Sequence, residues 1–296
     1  MESKVLQKNL LELIRRTSAE LPDDVVRVIE KGWRREEAGS NAKYALKVVL
    51  DNIKLAKKKS QPLCQDTGTI ICYAELPAWL PQAKFECAFE AAVVQATEVG
   101  YLRQNSVDSL TGKNSGNNLG PGSPSFHCSP AKGRALTARL ILKGGGCENV
   151  GIQYSLPDGR VGAGRDLAGV RLCLLDAVHQ AQGKGCGPGI LGVCIGGDRG
   201  SGYVVSKEEL FRPLDDVNPD PRLAKLEKQI MKDANELGIG PMGFGGSTTL
   251  LGCKITHRNR LPASFFVSVS YMCWAFRRNG IVLSESGKIT RWLYDS

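Results

Sequence analysis

Leu6, Leu10, Leu11 and Ile14 recur at the three- and four-residue spacing that lines one face of a helix. Pro22-Asp23-Asp24 opens a second helix, because a proline and acidic side chains suit a first helical turn. A third is predicted from about Asn41 to Lys58, with Ala45, Val49 and Ile53 on one face. Phe85, Phe89, Val93 and Ala96 mark another, and further helices are predicted between Leu167 and Gln182 and between Pro221 and Leu237. Short apolar, often β-branched runs predict strands at Thr69–Tyr73, Leu136–Leu142, Ile190–Ile195, Leu250–Ile255 and Phe265–Ser270. The first sixty residues are therefore helical, and the rest mixes helices with short strands without a steady β-α-β alternation. That pattern predicts an α+β fold. With no internal repeat or low-complexity linker, residues 1–296 read as a single domain with a helical N-terminal part of about 1–60. Asp215–Pro221 is the candidate loop between subdomains.

The composition narrows the function. Apolar residues make up 42% and charged residues 23%, enough for a sizeable core. The net charge of +9 favours anionic partners, but the basic residues are dispersed and the densest run is Lys57-Lys58-Lys59. With aromatics at only 6%, there is little on which to stack bases, so nucleic acid is not expected. The N-terminus alternates charged and apolar residues, unlike a signal or transit segment, and no apolar window is long enough to span a membrane. A cytoplasmic protein is expected, and the ten cysteines are then read as reduced. No CxxC occurs, which disfavours zinc ribbons and thioredoxin-like motifs. Most of the ten are expected to be small buried hydrophobes.

Glycine is the second anomaly. There are 34 in the chain, about 11% against roughly 7% on average, and they cluster beside cysteines. Cys64-Gln65-Asp66-Thr67-Gly68 packs a thiol, an amide, a carboxylate and a hydroxyl between a helix and a strand. It reads equally as a site or as an Asx-type turn closed by Gly68. Lys143-Gly144-Gly145-Gly146-Cys147-Glu148-Asn149 follows a strand and is either a hairpin turn or backbone opened toward a ligand. In Gly185-Cys186-Gly187-Pro188-Gly189 a thiol is held open by small residues, and Cys273 closes the last predicted strand next to Arg277-Arg278. Gly240–Thr249 lacks the ending of a P-loop, and Gly162–Gly169 has the wrong spacing for a dinucleotide fingerprint. Three cysteines in such positions suit an iron–sulfur cluster, and three ligands on four irons would leave one iron open as a Lewis acid.

Together, CQDTG (64–68), KGGGCEN (143–149), GCGPG (185–189), GIGPMGFGG (238–246) and RLPASFFVSVSYMCWAFRR (260–278) resemble the iron–sulfur hydro-lyases. More narrowly, they are similar to the α subunit of class I fumarase and of L-tartrate dehydratase, in the same order from about Asp24 to Arg278. The resemblance implies an α-type catalytic domain carrying a [4Fe–4S] cluster on Cys64, Cys186 and Cys273. It implies Asp66 as the catalytic acid, and Gln65, Arg103 and Gly146 as substrate contacts. It further implies a small dicarboxylate substrate, interconversion of fumarate and (S)-malate, and a separate β subunit supplying the base, in an α2β2 or similar oligomer. Tartrate dehydration to oxaloacetate is the same-chemistry alternative, with a 2-methyl substrate such as mesaconate behind it. Many members carry His where this chain has Leu261, although a branch of single-chain fumarases resembles it in NRLPASFF. A non-catalytic iron–sulfur redox protein is the alternative from another class, with Cys147 or Cys194 as a fourth ligand.

Overall fold

The computed structural model describes residues 1–295 and divides into two compact units. Unit 1 comprises residues 1–23, 51–145 and 275–296, and unit 2 comprises 24–50 and 146–274. The chain runs α1 (Ser3–Ala19), α2 (Asp23–Arg35), α3 (Asn41–Lys59), β1 (Thr69–Leu76), α4 (Gln82–Glu98), β2 (Ser125–Pro130), β3 (Leu136–Lys143), α5 (Gly145–Asn149) and β4 (Ile152–Ser155). It continues with α6 (Leu167–Ala181), β5 (Gly189–Gly196), α7 (Arg199–Glu209), α8 (Pro221–Glu236), β6 (Leu250–Arg258), β7 (Phe266–Met272), β8 (Arg278–Leu283) and β9 (Ile289–Trp292). Helices accompany two mixed sheets, and the fold is α+β. No helix among the described residues is long and apolar enough to cross a membrane.

Unit 1 is built on a five-stranded sheet ordered β2-β1-β3-β8-β9, with β1 parallel to β2 and the other pairs antiparallel. Alternate residues of its strands turn one face to the helices: Ile70, Cys72 and Ala74 of β1, Leu136 to Leu142 of β3 at every second position, and Ile281 and Leu283 of β8. The predicted stripes of α1 and α4 cover that face. Phe89 meets Phe126 of β2 edge-on at 5.4 Å between ring centroids, with Phe85 beside both.

Unit 2 holds a four-stranded sheet ordered β4-β7-β5-β6, between α6 and α8 on one face and α7 on the other. Its core joins Val170, Leu174 and Val178 of α6 to Leu226 and Ile230 of α8 over Leu191, Val193 and Ile255. On the opposite face α7 lies close to the strands. A Cβ on Gly192 would fall 2.2 Å from Ser206 O, and one on Gly202 would fall 2.6 Å from Ser268 Oγ. The segment 215–221 lies inside this unit, joining α7 to α8. Asp216 pairs with Arg212 and Lys254, and Asn218 donates to Glu227 and to Ile255 O, so charged side chains order the loop.

Every predicted helix and strand is present to within a few residues. The elements not anticipated are β2, β4, α5, α7, β8 and β9. The first two have mixed burial, and β8 begins with buried arginine and asparagine, so neither shows an apolar run. Phe89 is wholly buried at the centre of the unit 1 core. Phe89→Ala is expected to cost about 3–5 kcal/mol, read as a lower denaturant midpoint at unchanged slope.

Candidate functional site

Strand pairing in unit 1 brings three separated segments to one end of its sheet. Thr69 at the start of β1 pairs with Lys143 at the end of β3, and Ile141 of β3 pairs with Arg278 at the start of β8. The turn carrying Cys64, Gln65 and Asp66, Gly144-Gly145 and Arg277 are consequently neighbours. Gly68 makes the approach possible. It has φ +79°, and a Cβ there would fall 2.5 Å from the Lys143 carbonyl, so any side chain is excluded by both conformation and space.

Asp66 is the hub of this cluster. Its Oδ1 accepts from Gly68 N at 2.8 Å, which is the Asx-type turn, and from Asn105 Nδ2 at 2.8 Å. Its Oδ2 accepts from Gly145 N at 2.6 Å. The turn and site readings of this segment are therefore compatible: the turn chemistry orients the carboxylate. Arg277, almost fully buried, donates from Nη1 to Asp66 O at 2.7 Å. Thr67 Oγ1 donates to Arg103 O and accepts from Arg103 N, locking the 103–118 loop beside Asp66. Asn118 reinforces it, accepting from Asn105 N and donating to Arg103 O. The Arg103 side chain is exposed, and its guanidinium makes no hydrogen bond or ion pair among the described residues. Gln65 is exposed and Cys64 half-buried.

Unit 2 repeats the device at one end of its own sheet. Ile190 of β5 pairs with Met272 of β7, and Gly189 of β5 pairs with Leu250 of β6, gathering the Cys186 loop, Cys273 and the 240–249 loop. The organiser is Tyr271. A Cβ on Gly185 would fall 2.5 Å from its ring and one on Gly189 would fall 2.3 Å, so the alternate glycines are the space into which the tyrosine fits. Cys186 sits in the left-handed region at φ +52°, exposed, with its carbonyl accepting from Trp274 N at 3.4 Å. Met242 N donates to Gly187 O at 2.9 Å, tying in the 240–249 loop. Gly146 stands with its open side 3.4 Å from Lys184 O.

The cysteines divide by environment. Cys72, Cys173, Cys194 and Cys253 are buried in the cores, as expected for small hydrophobes. Burial pushes the Cys173 thiol up to about 12 and that of Cys194 up to about 11. Such thiols are poor metal ligands, since the ligand form is the thiolate. Cys147, Cys186 and Cys273, by contrast, all lie near the Tyr271 hydroxyl, where burial first and then these three thiols push the phenol upward. Among the described residues no three Cys, His, Asp or Glu side chains stand close enough to share a single metal ion. An all-thiol donor set, exposed at Cys186, half-buried at Cys64 and buried at Cys273, with no carboxylate or imidazole among the candidates, has the chemistry that suits an iron–sulfur cluster, which spreads its ligands over several irons.

Sequence reasoning missed Asn105, Arg277 and Tyr271. The alternate glycines at 185, 187 and 189 were a signal for a bulky neighbour. Nothing in the sequence distinguishes Asn105 from the polar residues around it, or marks Arg277 as buried. Gly68→Ala is expected to lose about 1–3 kcal/mol to backbone strain and to break the Asp66–Gly145 bond, seen as a shifted Gly145 amide resonance. Gly133, whose Cβ position is open, provides the control: Gly133→Ala should stay within about 0.5 kcal/mol.

A sequence model of the Fumarate hydratase (Fumerase) family matches residues 7–282. The chain is 52% identical over 293 residues to a Geobacillus stearothermophilus protein provisionally named a class I fumarate hydratase, covering 98% of this chain and 57% of that protein. It thus spans a little over half the length of that relative. It is 32% identical to a Methanocaldococcus jannaschii protein provisionally named an L(+)-tartrate dehydratase subunit alpha, covering 91% of this chain and 94% of the relative. With the L(+)-tartrate dehydratase subunit alpha of Escherichia coli strain K12 the identity is 29%, over 90% of this chain and 86% of the relative. The chain belongs to the fumarate hydratase (Fumerase) family.

Proposed function

We propose that this chain is the α component of an iron–sulfur hydro-lyase that interconverts fumarate and (S)-malate. The observation that carries the reading is the Asp66 turn, a carboxylate fixed by three hydrogen bonds at the end of a sheet, with an arginine whose guanidinium is uncommitted, Arg103, on the loop that Thr67 locks beside it. Cys64, Cys186 and Cys273 are assigned as ligands of a [4Fe–4S] cluster, supported by the thiol-only donor chemistry of their loops. Such a cluster, when bound, supplies a Lewis acid for the C2 hydroxyl through its open iron.

The chain's own residues do the rest. Asp66, held within hydrogen-bond reach of a bound hydroxyl, passes a proton to the departing oxygen in dehydration and takes it back in hydration. Arg103 and the backbone N–H of Gly146 bind carboxylate oxygens, and the Gln65 amide orients the substrate. The proton at C3 goes to a base on a separate β subunit, in an α2β2 or similar assembly. Two facts support a partner: relatives matched over nearly their whole length are named as α subunits, and the 52% identical relative is much longer than this chain. A cytoplasmic location suits an oxygen-sensitive cluster of this kind.

Fumarate/malate is preferred over tartrate because the higher identity is to a relative named for the former. Leu261, 73% exposed between β6 and β7, stands where many members carry His, so this position of the loop offers no polar side chain. A non-catalytic redox protein with Cys194 as the fourth ligand is less well supported, since Cys194 is buried in β5 with its thiol pushed up.

The test is electron paramagnetic resonance on anaerobically reconstituted protein after brief mild oxidation, with and without the co-expressed β subunit. The parent should give a [3Fe–4S]⁺ signal that Cys64→Ala, Cys186→Ala and Cys273→Ala each abolish and Cys194→Ala keeps. Malate should then be turned over faster than tartrate. No signal from either preparation, or loss of cluster in Cys194→Ala, would refute the assignment.

A further inference from the structure

Residues 103–106, which carry Arg103 and Asn105, belong to no helix or strand, so no sheet ladder fixes where these two side chains start. The backbone there is held instead by two side chains, Thr67 from the Asp66 turn and Asn118 from the far end of the loop. Asn118 is 1% exposed and commits its whole amide to this task. Its Oδ1 accepts from Asn105 N at 2.7 Å, and its Nδ2 donates to Arg103 O and to Thr97 Oγ1, each at 2.9 Å. The Thr97 hydroxyl in turn donates to Val93 O at 2.8 Å inside α4, whose Val93 and Ala96 are wholly buried in the unit 1 core. Ser123 Oγ, donating to Asn118 O at 2.9 Å, fixes the return side of the loop. One amide thus ties the Arg103 segment to a core helix.

The residue type is informative. Asn118 has φ +64°, in the left-handed region that glycine and asparagine adopt most readily. Glycine would serve that backbone, as Gly116 at φ +80° does close by. What asparagine adds is a buried amide with two donors and an acceptor, costly to bury unless its partners are met. We infer that Asn118 is a positioning residue for the proposed reaction, setting substrate affinity through Arg103 and the aim of Asp66 through Asn105. The Arg103 guanidinium makes no hydrogen bond or ion pair among the described residues, so its reach is decided by where its backbone is pinned. Asn105 Nδ2 donates to Asp66 Oδ1, so a shift of the same segment also turns the carboxylate. The inference rests on the reading of the chain as a dicarboxylate hydro-lyase. The plainer role for Asn118 is to stabilise its own loop and nothing more.

The experiment compares the parent, Asn118→Gly and Thr97→Val as cluster-loaded enzyme with its β subunit. It reads KM and kcat for (S)-malate per cluster, with amide hydrogen exchange on the same samples. Asn118→Gly keeps the left-handed backbone and deletes only the amide. The Asn105 amide is expected to exchange at least about tenfold faster in it, while the amides of β1 and β3 keep the parent's rates. KM is expected to rise at least about fivefold and kcat to fall with it. Thr97→Val removes one acceptor and leaves Asn118 in place, and should move all three readings the same way by less. Faster exchange at Asn105 with parent values of KM and kcat would confine Asn118 to its loop and overturn the inference, as would parent-like exchange. If Asn118→Gly loosens β1 and β3 as well, Thr97→Val decides by the same criteria. A parent that turns over neither malate nor tartrate would instead refute the hydro-lyase reading, and the inference with it.

Discussion

The hydrogen bond from Gly145 N to Asp66 Oδ2 is the contact on which the rest of unit 1's chemistry depends. It joins two segments almost eighty residues apart, and it exists only because the β1–β3 register lays Thr69 beside Lys143. That register in turn requires Gly68, whose missing side chain lets two backbones meet. Asn105 and Arg277 then hold the same residue from two other directions, one at the carboxylate and one at the carbonyl. Asp66 has four separate restraints, three of them on its carboxylate, and so keeps little rotamer freedom; in the proposed function that is what preorganises it.

Unit 2 uses the same economy with different parts. There a tyrosine takes the place of the backbone contact: Tyr271 fills the volume vacated by Gly185 and Gly189, and the loop wrapped around it forces Cys186 into the left-handed region. A cysteine in that conformation is strained, and strain of this kind clusters where a side chain must be presented outward instead of packed inward. Cys72, Cys173, Cys194 and Cys253 show the opposite outcome. They occupy strands and helices, face the cores and hold their protons tightly. Environment separates chemically identical side chains into packing material and candidate ligands.

Much of this was legible in the sequence, for identifiable reasons. Helices with a broad apolar stripe, such as α1 and α4, and strands buried along their length, such as β3 and β5, announce themselves through periodicity. Edge strands do not: β2 carries partly exposed residues along much of its length, and β9 has exposed Thr290 and Arg291. Helix α7 has a capping box at Asp198 and Ser201 that could have been read, but its interior is glycine, serine and charge. The glycine- and cysteine-rich segments were found because core packing has no use for such composition. Asn105, Arg277 and Tyr271 were not, because their importance lies in partners that only the fold brings near. The buried Arg277-Arg278 pair shows this most clearly: the sequence places two arginines beside Cys273 and gives no sign that both are buried.

In the proposed function a hydroxy acid meets Asp66 and binds one iron that three cysteines leave open. Mössbauer spectroscopy of protein reconstituted with ⁵⁷Fe, before and after adding (S)-malate, is the decisive measurement. A four-iron cluster is expected in which a single iron changes its isomer shift and quadrupole splitting on malate binding while the others stay put. A cluster whose irons all remain unmoved at saturating malate, or iron that never enters a cluster, would contradict it.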